Sequence, residues 1–135
     1  MKLLNEDEKI SFMKVLYTFV MRDNKCSKEE EKLLDIFKNV VFKLQKNKIE
    51  DHKWKINLST PDAIAEEIDK IKDSDSKRYL FFIIIELIHH SDKTKGFIFK
   101  RIKNEERQFI KQIIDLTKSL DNKIKKEIYT ILDKY

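Results

Sequence analysis

Three side chains able to ligate a metal stand within four residues, at His89, His90 and Asp92. A zinc site would need imidazoles that converge on one ion, as an i, i+4 pair on a helix does. His89 and His90 are adjacent, and neighbours on a helix point about 100° apart, so they cannot share one ion. Positive side chains near a helix C-terminus are expected from the helix dipole alone. Glu86 is the single charge between Leu80 and Ile88. A carboxylate there is expected to be partly buried and to take a lysine or a tyrosine hydroxyl from a neighbouring helix as its partner. Cys26 has no second cysteine to pair with, which excludes an internal disulfide and a cysteine-rich zinc site, and it reads as a small core residue. No Ser/His/Asp or Cys/His set has interpretable spacing. No glycine-rich loop can cradle a phosphate, and no aromatic-interleaved basic motif marks an RNA module. With no nucleophile supplied with its base, the chain is expected not to be an enzyme.

The element that must organise these residues is Arg78 to Asp92, the densest apolar run of the chain. Its three consecutive isoleucines, Ile83, Ile84 and Ile85, are compatible with a buried strand, because β-branched side chains favour a pleated surface. No second strand-like run exists to pair with it, and an unpaired strand has nowhere to place its backbone hydrogen bonds. The stretch is therefore expected to be a helix buried on most sides, ending near His90, with Ile84 and Ile88 in the core.

The rest of the chain reads as helices joined by polar turns. A first helix is expected from about Glu6 to Met21, with Ile10, Met13, Leu16 or Tyr17, and Val20 on one stripe widened by Phe12 and Phe19. Arg22-Asp-Asn-Lys25 stops it, with Asn24 able to take the left-handed conformation. Ser27-Lys-Glu-Glu30 is a capping box that starts a second helix. Leu33, Leu34, Phe37, Val40, Val41 and Leu44 follow at helical spacing. Residues 45–59 form a connector, in which Lys53 to Leu58 alternates polar and apolar and is expected to run extended. Thr60-Pro61 opens a third helix with the threonine as N-cap and the proline in the first turn, followed by Ile64, Ile68 and Ile71. Asp73-Ser-Asp-Ser76 caps the central helix. A looser loop from Ser91 to Lys103 contains the only glycine, Gly96, and an apolar Phe97-Ile-Phe99. Two more helices are expected, from about Asn104 to Leu120 and from Asp121-Asn122 onward through Ile124, Ile128 and Ile131.

Composition agrees with that reading. The 135 residues suit one domain, 1–135, and 41% hydrophobic residues with nine Phe and four Tyr can fill a core. One Gly and one Pro leave little turn chemistry and point to long helices. No apolar run reaches the roughly 18 residues of a membrane span. Met1-Lys-Leu-Leu-Asn-Glu-Asp-Glu turns acidic where a signal peptide would continue apolar, so a cytoplasmic location is expected. The net charge of +5 is uneven: residues 59–92 hold 4 basic and 8 acidic side chains, and residues 93–135 hold 12 basic and 6 acidic. The basic last third either is a solvated lysine face or meets an anionic partner, for which weak, nonspecific nucleic-acid binding is the expected limit.

Two stretches repeat one another. Asp23 ends a helix, Glu30 lies in the first turn of the next, and the apolar positions Leu33, Leu34, Phe37, Val40, Val41 and Leu44 follow. Asp92 ends the central helix, Glu106 opens the next, and Phe109, Ile110, Ile113, Leu116, Thr117 and Leu120 fall at the same offsets. Arg22 to Glu30, Thr60 to Ile68 and Arg78 to Asp92, taken in that order, resemble the TerB-like tellurite-resistance domains, which include the N-terminal domain of DjlA-type co-chaperones. The family pattern has a glycine after the acid. Asn24 stands there in the first copy, and His90-Ser-Asp-Lys93 has none. The resemblance covers roughly residues 5–120. It implies an all-α domain of about six or seven helices with two pseudo-repeated hairpins, and a stress-associated role in binding a protein partner. It also implies a divalent metal ion held by Asp23, Glu30, Asp92 and Glu106. Four converging carboxylates would repel one another, and a hard cation would relieve that. The same acids read plainly as caps and ion pairs, with Lys93, Lys95, Lys100 and Arg101 near the second pair to neutralise them.

Overall fold

The computed structural model describes residues 4–21, 28–43, 59–94 and 102–135, with the backbone alone for 90–94. Among these residues every regular element is a helix, so the chain is all-α as the patterning requires. Asp23, Asn24, Cys26, Ser27, Leu44, the connector with Trp54, and the Gly96 loop lie outside the described residues.

Helix α1, Glu6–Val20, starts at a capping box that the sequence reading passed over. The Asn5 side chain accepts from the Glu8 amide (2.9 Å), and Glu8 accepts from the Asn5 amide (3.1 Å). The second oxygen of Glu8 accepts from the Lys72 amide at 2.8 Å, joining the start of α1 to a distant turn. That bond, with the one from Asn5, holds the Glu8 carboxyl below the usual carboxylate range. Beyond the cap, Phe12, Met13, Val15, Leu16, Tyr17, Phe19 and Val20 are all buried. They cover more than one stripe because α1 packs on three other helices.

Helix α2, Lys28–Ile36, does not continue as an α-helix. From Phe37 to Val41 it widens into a π-helical turn, in which the Phe42 amide donates to the Phe37 carbonyl at 2.9 Å. The reading that placed Val40 and Val41 on the buried stripe is thereby corrected: they are 65% and 43% exposed, and Phe42, 2% exposed, takes their place. Five residues span about 500° of an α-helix but close to one turn of a π-helix, so the wider turn brings Phe37 and Phe42 onto one face. Lys43, at φ +50°, ends the element in the left-handed region.

Helix α3, Pro61–Asp69, forms as expected, with Thr60 Oγ1 accepting from the Ala63 amide at 3.2 Å. Helix α4, Ser74–Thr94, is the longest, about 30 Å at 1.5 Å per residue. Asp73 caps it by accepting from the Ser76 amide at 3.0 Å. It runs on to Thr94, past the expected end near His90 and through Asp92. Ile84 and Ile88 are buried as expected. Helix α5, Asn104–Leu116, stops four residues short of the expected Leu120. The cause is tertiary: Asp69, at the end of α3, accepts from the Lys118 amide (3.1 Å), the Ser119 amide (2.9 Å) and the Ser119 hydroxyl (2.5 Å), pulling those amides out of the helix. Helix α6, Asn122–Lys134, opens on the Asp121 cap, 2.8 Å from the Ile124 amide.

The core is one cluster. Helix α1 packs on α2, α3 and α4, α3 packs on α5, α4 on α6, and α5 on α6. At corresponding positions of α2 and α5 the burial agrees: Leu34 and Ile110 are buried, as are Phe37 and Ile113, while Val40 and Leu116 are exposed. The agreement ends at Val41 and Thr117, because Thr117 is buried and returns its hydroxyl to the Ile113 carbonyl at 2.6 Å.

Where α6 passes α5, the Tyr129 hydroxyl donates to Asp115. Burial, joined by that bond and by the charge of Asp115, pushes Tyr129 up to about 12 from an ordinary 10. Between those values the folded chain keeps a proton that the unfolded chain gives up. This contribution to stability is therefore complete below pH 10 and is lost as pH climbs to about 12. In a spectrophotometric tyrosinate titration one hydroxyl should ionise at the top of that window, and Tyr129→Phe should abolish that phase. A titration unchanged by the substitution would refute the assignment.

Candidate functional site

Two polar clusters hold helices together. Lys77, 1% exposed, donates to the Ser119 hydroxyl (2.7 Å) and carbonyl (3.4 Å), and Ser119 in turn donates to Asp69. Burial pulls the Lys77 ammonium below the usual lysine range, while Asp69, Asp73, Asp121 and Glu8 pull it back up. Burial would raise Asp69, but the Ser119 hydroxyl and the Ser119 and Lys118 amides outweigh it and hold the acid low. A serine beside a lysine has the makings of a nucleophile and its base. Here the lysine is the donor and the serine proton is committed to Asp69, so the cluster is a clamp between α3, α4 and the turn before α6. The second cluster centres on buried Glu67, which accepts from Ser11 Oγ (2.8 Å) and Lys70 Nζ (3.1 Å), with Lys14 Nζ at 3.8 Å.

Among the described residues an open site lies between α2 and α4. A groove of about 470 Å³ is lined by Glu29, Glu30 and Leu33 on one wall and by Tyr79, Phe82, Ile83, Glu86 and Leu87 on the other. The second wall follows from helical geometry, since positions 79, 82, 83, 86 and 87 recur at i, i+3, i+4, i+7 and i+8 and share one face. Ile83 and Leu87 form its buried floor, Phe82 is half-buried, and Tyr79 is exposed. The Tyr79 ring leans on Phe37 with centroids 6.5 Å apart, so the π-helical turn supports the mouth. Arg78 stands over the Phe82 ring at 5.7 Å and faces Glu127 at 3.4 Å.

Glu86 differs from expectation in one respect. It is exposed, because it falls on the groove face of α4 and not on the core face. Its partner is of the expected kind, the Tyr135 hydroxyl, which donates to it. That bond raises the Tyr135 hydroxyl above its ordinary range. The Tyr135 ring also meets His89 edge-on at 4.8 Å, so His89 contributes to helix packing.

Of the four acids that the resemblance assigns to a metal, Asp23 lies outside the described residues. Asp92 lies in the last turn of α4, where only the backbone is described. Glu30 is buried in the first turn of α2 and lines the groove, and Glu106 is half-buried in the first turn of α5. Both positions lie in the first turn of a helix, where the helix dipole favours a negative charge. Among the described residues no three His, Cys, Asp or Glu side chains converge as metal ligands. The basic last third is partly engaged within the fold: Arg107 faces Asp133 at 3.6 Å and donates to the Leu132 carbonyl at 2.8 Å, and Lys111 lies 3.8 Å from Asp133. Among the described residues no helix is long and apolar enough to cross a membrane.

The groove was not foreseen from the sequence, from which this helix is expected to be buried on most sides. The available signal was Tyr79, Phe82 and Glu86, the amphipathic and charged positions of one face. No family model matches the chain, and no curated protein and no solved structure matches it either. The class that fold and groove define is an all-α helical domain with a two-turn apolar cleft on its longest helix.

Proposed function

We propose that the chain is a non-enzymatic interaction module of the TerB-like kind its layout resembles, with the α2/α4 groove as its binding surface. The carrying observation is that, among the described residues, two turns of α4, from Tyr79 to Leu87, line an open groove whose other wall is α2. Burial of apolar surface drives association, and an apolar groove along a helix is the geometry that accepts a partner's amphipathic segment. The stress-associated setting belongs to the same proposal and is supported by the resemblance alone. The function as proposed needs no metal ion.

The test is a selection of displayed peptides against the folded chain, counter-selected with a Tyr79→Glu, Phe82→Glu double variant whose melting shows that it is folded. Selected sequences should carry apolar residues a turn apart and lose at least tenfold in affinity on the variant, about 1.4 kcal/mol. Selected peptides that bind both proteins equally would overturn the groove as the working surface.

A further inference from the structure

We infer that the segment bound in this groove is a cationic amphipathic helix, presenting lysine or arginine on both sides of an apolar stripe. This inference rests on the groove being the binding surface. Its first support is the placement of charge: Glu29 and Glu30 stand on the α2 wall and Glu86 on the α4 wall, so carboxylates flank the apolar floor from both sides. The second is pairing. Some acids of this fold meet cations, as Glu67 does with Lys14 and Lys70, Glu127 with Arg78, and Asp133 with Arg107 and Lys111, while among the described residues exposed acids such as Glu31 and Glu66 do not. Among the described residues neither Glu29 nor Glu86 has a cationic partner, although basic side chains outnumber acidic ones 29 to 24 over the chain. The third is the aromatic content of the wall. Tyr79 and Phe82 offer ring faces to a cation, and Arg78 over Phe82 already uses one of them in that way.

The dimensions favour a helix. The lining positions from Tyr79 to Leu87 extend about 12 Å along α4, the length of two helical turns. An occupant with apolar residues at i, i+3, i+4 and i+7 covers that length, and the positions beside its stripe then face the rim acids. Rim charges of this kind govern encounter rate and partner choice more than they govern final affinity. The preference is therefore expected to be steep at low salt and shallow at high salt.

Three synthetic peptides decide the matter. They share the apolar spacing and carry lysine, glutamine or glutamate at the flanking positions. Each is titrated by fluorescence anisotropy into the full chain and into a Glu29→Gln, Glu86→Gln variant, both at low and at high salt. The lysine peptide should bind about tenfold or more tighter than the glutamate peptide at low salt, and the difference should shrink several-fold in the variant and with added salt. Equal binding of all three would overturn the inference while leaving the groove as a binding surface. Binding by none of them would remove the groove reading and this inference with it. A lysine preference that persists undiminished in the variant would place the recognition elsewhere and overturn the inference. Self-association of the chain that Tyr79→Glu with Phe82→Glu abolishes, seen by sedimentation, would assign the groove to a second copy and overturn it as well.

Discussion

Phe12→Ala should cost about 3–5 kcal/mol in chemical denaturation. The ring is fully buried and touches both aromatic residues of the π-helical turn. Phe37 stacks on it with centroids 5.7 Å apart, and Phe42 meets it edge-on at 5.1 Å. Phe37 and Phe42 are themselves 5.7 Å apart, so the three rings form a closed set joining α1 to the end of α2. Removing the central ring forfeits its transfer energy, opens a cavity and breaks two aromatic contacts at once. A paired control tests the helical register. Val40→Ala should change stability by no more than about 0.5 kcal/mol, since Val40 is exposed, whereas Phe42→Ala should cost several times that. An uninterrupted α-helix would give the reverse order. A loss below ~1.5 kcal/mol for Phe12→Ala would mean that the three rings do not form this contact.

Ile84→Ala is the second large effect, expected at about 2–5 kcal/mol. Ile84 lies in the middle of α4 at 0% exposure, with Leu80, Phe81, Ile85 and Ile88 buried around it on the same helix. Helix α4 packs on both α1 and α6, so a void at this position has rigid walls and relaxes little. Equilibrium unfolding in urea is the measurement, read as a lower midpoint at unchanged slope. A loss below ~1 kcal/mol would remove Ile84 from the core and α4 from its central place.

Glu86 shows how far one dimension of information reaches. A single carboxylate within an apolar run signals that one face of the helix differs from the rest, and the expectation of a lysine or tyrosine hydroxyl partner follows from the chemistry of carboxylates. Which face that was depended on where α2 came to lie. Glu86 is exposed because α2 stands off from α4 along Tyr79 to Leu87. Phe42 shows the same limit from the other side. Periodicity counted at 3.6 residues per turn put Val40 and Val41 inward, and only the packing of Phe37 and Phe42 against Phe12 favours the wider turn.

By itself the sequence determined the helical class, the places where helices begin, and the burial of Ile64, Ile68, Ile84, Ile88, Ile110, Ile113 and Ile128. These are local properties: a cap residue acts within three positions of itself, and an apolar stripe repeats every turn. The tertiary structure alone decided where two helices stop and what the central helix leaves open. Helix α5 ends at Leu116 because Asp69, some fifty residues earlier in the chain, captures the next amides. The groove exists because α2 and α4 are held apart on one side, a relation between elements distant in the chain that no local pattern encodes. A hydrogen bond or a cleft between such elements depends on how the whole core closes, and that closure is set by the summed packing of the helices.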